Sequence, residues 1–390
     1  MNRIVAYIIF SILSGFVSVL SAQTAVGTGQ TYTSLRTAFT AINNGILKGD
    51  VVLKITSNIT ESSTAVLNAS GSGNADYTSV KIYPGSAGIT ISGNFTTPLI
   101  DLNGADNVTI NGRINGTGAE YALTIINTRN STTSGTSTVR FRNSASSNTV
   151  SYCQLKGNSG SATGGAIIYF STSSSGEGND NNIIDSNKIT SGDSNRMVNA
   201  IYSFGSNNRE NSENIISNNL MYDFFRTGTS SHGIYISSYS DAFTISGNSF
   251  YETGSFAPTS SVAYYVIRIS NSDGNSFNIS GNWIGGTEEH CGGTHLLKSS
   301  ARNNAFYGIY LEAGASDFSN IQGNIIRKID WSNSGSASWT GISIVSGKVN
   351  AGTLTGNEIG SSTGTGSILF TGNANDSNLA GILYFIDRCC

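Results

Sequence analysis

The chain has 390 residues, and 12% of them are charged, about half of the share that is usual in a soluble domain. A net charge of -3 with 38% hydrophobic residues excludes a highly charged disordered chain, and no basic run indicates a nucleic-acid partner. Ser, Thr and Asn, together with 46 glycines and only 3 prolines, favour many short strands joined by tight turns.

Residues 1–22 are typical of a secretory signal peptide. Arg3 supplies positive charge, an apolar run follows, and the small residues Ser21 and Ala22 precede Gln23. We expect cleavage after Ala22, a secreted or outer-cell-surface location, and no membrane span in the mature chain. An uncleaved anchor helix is the alternative, because the apolar run is close to the shortest length that spans a bilayer.

The first predicted helix covers residues 33–45, with Gly45 just past its last turn. Its apolar stripe consists of Leu35, Ala38, Phe39 and Ile42. Segments with the alternation of a strand follow at residues 50–56, 79–85, 88–94, 98–112 and 121–128. We interpret residues 23–135 as a capping helix with the first coils, since such a helix would cover unpaired strand edges.

An apolar-x-x-Asn-x-apolar phrase then recurs, with Asn in the same slot of each copy. These residues are Asn187, Asn219, Asn248, Asn282, Asn324 and Asn357. The successive spacings are 32, 29, 34, 42 and 33 residues, and Cys153 fills the slot 34 residues before Asn187. An Asn amide both donates and accepts hydrogen bonds, so copies stacked coil on coil are predicted to form a ladder.

A second phrase, a small residue followed by alternating apolar residues, keeps the same period of about 33 residues. Its copies begin at Ala200, Gly233, Val266, Gly308, Gly341 and Gly381. Each phrase has the period of a strand with one inward face, and so small a unit has to stack on its copies to bury that face. We predict an all-β fold, a right-handed single-stranded parallel β-helix, with residues 136–390 as the repeated coils.

The chain stops at GILYFIDRCC, inside the phrase that opens a new coil. No segment comparable to the N-terminal helix follows it, and a bare apolar edge favours addition of another strand. We therefore predict a C-terminal end that is open, or truncated from a longer chain.

These repeats resemble the right-handed parallel β-helix repeat of the PbH1 type, written N-x-I-x-x-N-x-I…G-I-x-L, over roughly residues 140–390. The phrases YTSLRTAFTAINNGILKGDVVLKI and NVTINGRINGTG are similar to large secreted surface proteins of Bacteroidetes, many of which carry a C-terminal sorting domain. The resemblance implies a surface protein. Some members of that group are supposed to act as adhesins, and others in the wider fold family act on polysaccharides.

Two sets of residues are candidates for ligand binding. Tyr202, Tyr235 and Tyr310 occupy similar outward slots and would form a sugar-stacking strip. Alternatively, these rings only cover neighbouring side chains. Asp180, Asp241 and Asp317 each precede the first apolar residue of an Asn phrase by four positions. Stacked, they would bind Ca²⁺ or a sugar; alternatively, each caps its own turn.

One loop concentrates the residue types that bind metals, namely Glu288, His290, Cys291 and His295. Adjacent His and Cys residues are not a usual zinc spacing, so an ordinary exposed loop is the alternative. We expect no cofactor, and Ca²⁺ at the acidic column is the one ion that merits a test.

The carboxylate-rich motifs of β-helix polysaccharide enzymes are missing from the sequence, and hydrolysis needs two carboxylates about 5–10 Å apart. The leading hypothesis is a secreted or cell-surface, non-catalytic scaffold, adhesin-like or glycan-binding, with surface glycans or other surface proteins as partners. The alternatives are a polysaccharide lyase or glycoside hydrolase, and a fragment of a larger surface protein without an activity of its own.

Overall fold

The computed structural model describes residues 23–361, 363–371 and 379–384, which form a parallel β-solenoid. Three long sheets of 11, 10 and 10 strands run along its axis, and their strands pair in parallel. Each coil contributes one strand to sheet 1, then one to sheet 2, then one to sheet 3. The predicted parallel β-helix is confirmed, with three strands in each coil. The predicted signal peptide lies outside the described residues.

In the repeated coils the strands of sheets 1 and 2 are short, whereas those of sheet 3 reach 8 residues in Trp339–Ser346. Sheet 1 contains Gln23–Val26, Gly49–Ile55, Tyr77–Pro84, Val108–Asn111, Thr149–Ser151, Ile183–Asp185, Ile215–Ser217, Thr244–Ser246, Asn278–Ser280, Phe318–Gln322 and Lys348–Ala351. Sheet 2 contains Ile59–Thr60, Ile89–Gly93, Leu123–Asn127, Gln154–Gly157, Lys188–Ser191, Leu220–Tyr222, Ser249–Tyr251, Trp283–Ile284, Ile325–Ile326 and Glu358–Ile359. Sheet 3 contains Ala65–Asn68, Pro98–Asn103, Ser137–Arg142, Ala166–Phe170, Asn199–Ser203, Ser231–Ile236, Tyr264–Ser270, Phe306–Glu312, Trp339–Ser346 and Leu379–Tyr384.

Smaller elements lie between these strands. Asn211–Ser212 pairs with Ser240–Asp241, and a three-stranded sheet joins Leu296–Lys298, Ile329–Ser332 and Ile368–Thr371. The 3-10 turns are Ile114–Gly116 and Glu289–Cys291. Sheets 2 and 3 both pass through the region of residue 135 without a break. Among the described residues, no helix has the length and apolar character needed to cross a membrane.

The helix Leu35–Asn43 lies at the N-terminal end of the coils. Its predicted apolar stripe is fully buried, and Ser34 is its N-cap. The carboxylate of Glu61, from the first coil, accepts hydrogen bonds from the backbone N–H groups of Leu35 (2.7 Å) and Arg36 (3.3 Å). It thereby satisfies two of the donors that a helix N-terminus leaves free and places negative charge at the positive end of the helix dipole.

The core consists of columns in which one apolar residue lies over another from coil to coil. In sheet 3 one such column contains a run of isoleucines, all fully buried: Ile168, Ile201, Ile234, Ile267, Ile309 and Ile342. Burying an Ile side chain contributes about 1.5–3 kcal/mol, so each added coil stabilises its neighbours. Ile382 continues the column but is 52% exposed, because no described strand pairs with the far side of Leu379–Tyr384.

The predicted Asn ladder is confirmed. From Asn187 to Asn357, each side-chain Nδ2 donates to the Oδ1 of the Asn in the next coil, over 2.9–3.0 Å. The same Nδ2 groups also donate to a backbone carbonyl of the preceding coil. Each Oδ1 accepts a second hydrogen bond from the backbone N–H of the previous Asn. The buried amides therefore have all of their hydrogen bonds satisfied inside the protein.

The residue just before the ladder slot makes a corner in six coils. It has a left-handed backbone, with φ between 53° and 64°, before Cys153 and before the Asn residues from Asn187 to Asn324; these corner residues are Tyr152, Ser186, Asn218, Gly247, Gly281 and Gly323. The bend falls on the preceding residue alone, so the ladder Asn is free to turn its amide along the axis.

A second Asn ladder, which the sequence analysis did not identify, lies where each coil enters sheet 1. Asn148 donates to Asn182 (2.9 Å), and Asn182 donates to Asn214 (3.0 Å). Phe243 and Phe277 fill the equivalent slot in the next two coils and are fully buried. The same corner is therefore stabilised by amide hydrogen bonds in the middle of the solenoid and by apolar packing further along.

We predict that Asn248→Ala lowers the unfolding free energy by about 3 kcal/mol or more, because it leaves several buried groups without hydrogen-bond partners, each costing about 1–3 kcal/mol. Urea denaturation followed by circular dichroism measures the loss. Asn357→Ala is the matched control at the last rung, where the side chain is half-buried, and we expect a loss of about 1 kcal/mol. Equal losses in the two variants would contradict a cooperative ladder.

Candidate functional site

The predicted tyrosines lie in one outward column of sheet 3. Tyr202 pairs in register with Tyr235, Tyr235 pairs with Arg268, and Arg268 pairs with Tyr310. The predicted equivalence of the tyrosine slots is confirmed, and Arg268 occupies the one position that interrupts them. The column thus brings aromatic rings and one cation together on the outer surface.

Tyr202 does not offer a free ring face, because it is only 2% exposed. Its ring is stacked on that of Tyr169 (5.5 Å) and lies against that of Tyr235 (5.2 Å) at an angle of 52°. This part of the column agrees with the alternative in which the rings cover their neighbours. Tyr202 does line a surface groove of about 560 Å³, together with Tyr169 and Arg140.

The accessible part of the column lies in the next coils, where Tyr235, Tyr265, Arg268, Tyr307 and Tyr310 are all partly exposed. We call these five residues the tyrosine–arginine patch. The Arg268 guanidinium carbon lies 4.6 Å, 4.7 Å and 5.7 Å from the ring centres of Tyr235, Tyr265 and Tyr310. Tyr265 and Tyr307 stack at 4.9 Å, and Tyr310 is nearly perpendicular to both.

Among the described residues, none forms a hydrogen bond with the four tyrosine hydroxyls of the patch. Tyr310 is also not stacked face to face with any described ring. The patch therefore presents four tyrosine hydroxyls, and one ring without a face-to-face partner, among the described residues.

His232 lies beneath the patch and fixes its geometry. Its ring is 4% exposed and is stacked between Tyr235 and Tyr265, at 4.7 Å and 5.2 Å. Because Nη1 of Arg268 can only donate, Nε2 of His232 accepts its hydrogen bond (3.3 Å), and Nδ1 then donates to Oδ1 of Asn199 (2.8 Å). Burial, together with the nearby Arg268 charge, lowers the pKa of His232 to about 3.

The predicted acidic column is interrupted by uncharged residues. Oδ1 of Asp180 accepts from the backbone N–H of Ser212 (2.7 Å), and Oδ1 of Asp241 accepts from that of Asn275 (2.6 Å). Ser212 pairs with Asp241, and the backbone N–H of Asp317 donates to Oδ1 of Asn275 (3.2 Å). No two of the three acids therefore lie in adjacent coils. Asp241 and Asp317 each accept the backbone N–H of the residue that follows them, as a turn cap does, whereas Asp180, among the described residues, accepts only from the next coil.

The predicted metal ligands share a loop but have different surroundings; they are Glu288, His290, Cys291 and His295. The ring of His290 packs against Trp283 (4.4 Å), and Nε2 of His295 donates to the backbone oxygen of Gly366 (2.8 Å). Burial raises the pKa of the Cys291 thiol to about 11, which disfavours the thiolate that binds zinc. Over the described ranges, no three His, Cys, Asp or Glu side chains are grouped as metal ligands.

A buried acid cluster was missed by the sequence analysis. Arg196 contacts the carboxylates of both Glu252 and Asp223, and Glu252 also accepts from the backbone N–H of Phe225 (3.1 Å). Burial raises the pKa of Glu252 to about 7, although the positive charge of Arg196 opposes the shift. Glu252 is fully buried, so this cluster connects neighbouring coils rather than facing a substrate.

Sequence reasoning also missed Arg268, His232, Tyr265 and Tyr307 as site residues. A signal for Arg268 was present, because its phrase aligns with those of Tyr235 and Tyr310. Tyr265 and Tyr307 form the next outward column, continuing from His232.

No family model matches the chain, and no curated protein matches it in sequence. What is established is the class of architecture, a parallel β-helix scaffold with stacked Asn residues. The resemblance to secreted surface proteins stays a prediction, as do the ligand-binding and metal-binding roles of the residues above.

We predict that His232 makes the folded protein sensitive to acid. Its pKa is about 6.5 in the unfolded chain and about 3 in the folded one, so the unfolded state binds the additional proton as the pH falls below 6.5. This lowers the unfolding free energy by about 1.4 kcal/mol per pH unit in that range.

His232→Gln keeps hydrogen-bonding groups but removes this titration. Denaturation of both proteins between neutral pH and about pH 4.5 gives the difference in their unfolding free energies. We expect the wild-type protein to lose stability relative to the variant as the pH falls. Parallel pH curves would show that the buried ring does not titrate as inferred.

Proposed function

We propose that this protein is a secreted or cell-surface, non-catalytic β-helix scaffold that binds glycans through the tyrosine–arginine patch. The observation that carries the proposal is a group of four partly exposed tyrosines around one arginine on the outer face of sheet 3. Aromatic rings pack against the apolar faces of sugar rings, and tyrosine hydroxyls hydrogen-bond to sugar hydroxyls.

The dimensions of the column favour an oligosaccharide over a single sugar. Tyr235 and Tyr310, the accessible ends of the column, are separated by two coil steps in the register of sheet 3, which is about 10 Å at a rise of about 4.8 Å per coil. The groove beside Tyr202 continues the same surface towards Arg140. A chain of sugars lying along the solenoid axis would contact the patch and the groove together.

A rigid solenoid also supports an adhesin-like role. Its coils are joined by continuous sheets and buried ladders, so a ligand held on one face is held at a fixed distance from the ends. Glycans or proteins on another cell surface are the partners that we propose.

The enzyme alternative has little support from the arrangement of acids. Glycoside hydrolysis needs two carboxylates about 5–10 Å apart around a substrate. Glu252 and Asp223 share Arg196 as their partner, but Glu252 is fully buried. Glu312, at the edge of the patch, accepts a hydrogen bond from Ser270 (2.7 Å). Turnover of any polysaccharide by the purified protein would overturn the non-catalytic proposal.

We expect Tyr307→Ala and Tyr310→Ala each to weaken glycan binding about tenfold or more, a loss of about 1.4 kcal/mol or more, since they remove aromatic contact area from the patch. Binding is first detected on a glycan array of neutral and acidic oligosaccharides. It is then measured by calorimetry with the best-bound oligosaccharide.

Tyr222→Ala is the matched control, because Tyr222 is also half-buried and stacked on another tyrosine, Tyr251 (5.1 Å), but belongs to sheet 2. It should bind glycans as the wild-type protein does. A similar loss in all three variants would indicate a general effect on folding, and the absence of any glycan binding would overturn the proposal.

The proposed location has its own test. We expect the mature protein purified from its source to begin at Gln23 and to be recovered outside the cell or on its surface, because residues 1–22 have the features of a signal peptide. N-terminal sequencing of the mature protein checks the cleavage site. Recovery of full-length protein in the cytosol would contradict secretion.

A further inference from the structure

We propose that the glycan bound by the patch is acidic, and that Arg268 binds its carboxylate or sulfate group. This inference rests on the proposed function and specifies the ligand class of the same site. The structural basis is a guanidinium that the protein positions firmly but leaves without a counter-ion.

Arg268 differs in this respect from Arg140 of the same column. Arg140 forms two hydrogen bonds with the carboxylate of Asp101, both of 2.9 Å. Arg268 forms no ion pair with any carboxylate in the part of the chain that the structure describes. One end of the tyrosine column is thus neutralised internally, and the other end keeps its positive charge.

The surroundings of Arg268 hold its plane without neutralising it. Three tyrosine rings lie within 5.7 Å of its guanidinium carbon, and attraction between a cation and each ring contributes about 0.5–2 kcal/mol. His232 accepts from Nη1 and is uncharged at neutral pH, so it adds no negative charge. The buried Nε has no hydrogen-bond partner in the described structure. Most of the donors of Arg268 therefore remain unused.

A planar guanidinium with free donors matches the geometry of carboxylate and sulfate groups, which accept two parallel hydrogen bonds from it. Partial burial strengthens such a pair relative to water. The nearest opposing feature is Glu312, whose carboxylate accepts from Ser270 in the coil that contains Arg268. Glu312 would repel an acidic sugar at the edge of the patch and so limits the affinity for one.

The inference is tested by calorimetry with three oligosaccharides of equal length and linkage: an oligoglucuronan, its carboxyl-reduced neutral glucan, and the sulfated glucan. We expect the wild-type protein to bind at least one acidic form about tenfold or more tightly than the neutral form, a difference of about 1.4 kcal/mol or more. The two acidic arms distinguish carboxylate from sulfate recognition.

The variants assign this preference to one side chain. Arg268→Gln should remove the preference for the acidic forms, and Arg268→Lys should keep part of it, since the charge remains but the planar fork is lost. Glu312→Gln should strengthen acidic binding a few-fold. Arg113→Gln is the matched control, because Arg113 also lies over a tyrosine ring, that of Tyr152 (4.1 Å), away from the patch; it should bind like the wild type.

The outcomes separate the inference from the proposed function. Equal binding of neutral and acidic forms, or a preference that survives Arg268→Gln, overturns the role of Arg268 while glycan binding stands. Binding of none of the oligosaccharides here, together with none on the glycan array, overturns both. Thermal denaturation of each variant shows whether a loss of binding comes from unfolding. If Arg268→Gln fails to fold, the preference for acidic forms is measured with Arg268→Lys in its place.

Discussion

The structure depends on one constraint: each buried amide of the ladder hydrogen-bonds to the Asn that the next coil places directly over it. Each amide in the ladder donates to and accepts from its neighbours on both sides. A displacement of one residue in any coil would leave these buried groups without partners and would turn the inward side chains outward. The ladder therefore fixes the register of the coils from Asn187 to Asn357, and the three sheets follow that register there.

The register also determines what the outer surface can do. Successive coils place equivalent positions of the repeat side by side. The residue type at such a position in each coil therefore determines which side chains are neighbours on the surface. Aromatic residues in consecutive slots stack and cover one another, as Tyr169 and Tyr202 do. Where Arg268 interrupts the column, the rings lie around a cation instead. Two very different surfaces thus arise on one sheet from a single substitution in the pattern.

Much of the fold was predictable because it repeats. The coils, the ladder and the inward residues of sheets 1 and 3 have local patterns that recur with the same period, and the N-terminal helix has an apolar stripe of its own. Sheet 2 was predicted at residues 88–94 and 121–128, but in the later coils its signal is weak, because strands such as Trp283–Ile284 are only 2 residues long, too short to show alternation. The second Asn ladder left a weak signal in the sequence, because only three sheet 1 strands are directly preceded by one of its Asn residues. In the next two coils, buried phenylalanines occupy that position instead.

The candidate site was less predictable for physical reasons. Sequence alternation identified which tyrosines point outward, but the burial of Tyr202 depends on ring-to-ring contacts between coils. An ion pair between coils likewise depends on which residues the fold brings together. The sequence does not show that Arg140 has Asp101 as its partner in the neighbouring coil, whereas Arg268 has no such carboxylate among the described residues. In the loop with potential metal ligands, the left-handed backbone of His290 (φ 54°) directs adjacent side chains apart. These residues are therefore close together in the sequence but do not form one group of metal ligands in the structure.

The ladder geometry has a consequence for how such a chain changes length during evolution. Steps between rungs vary from 29 to 42 residues, yet the amide contacts stay at 2.9–3.0 Å. All of the variation is thus absorbed by the loops between strands. Duplication of one whole repeat would extend the solenoid by about 4.8 Å and shift no existing contact laterally. Loop insertions and added repeats can therefore occur independently of each other. A loop insertion changes the surface locally, whereas an added repeat lengthens the solenoid.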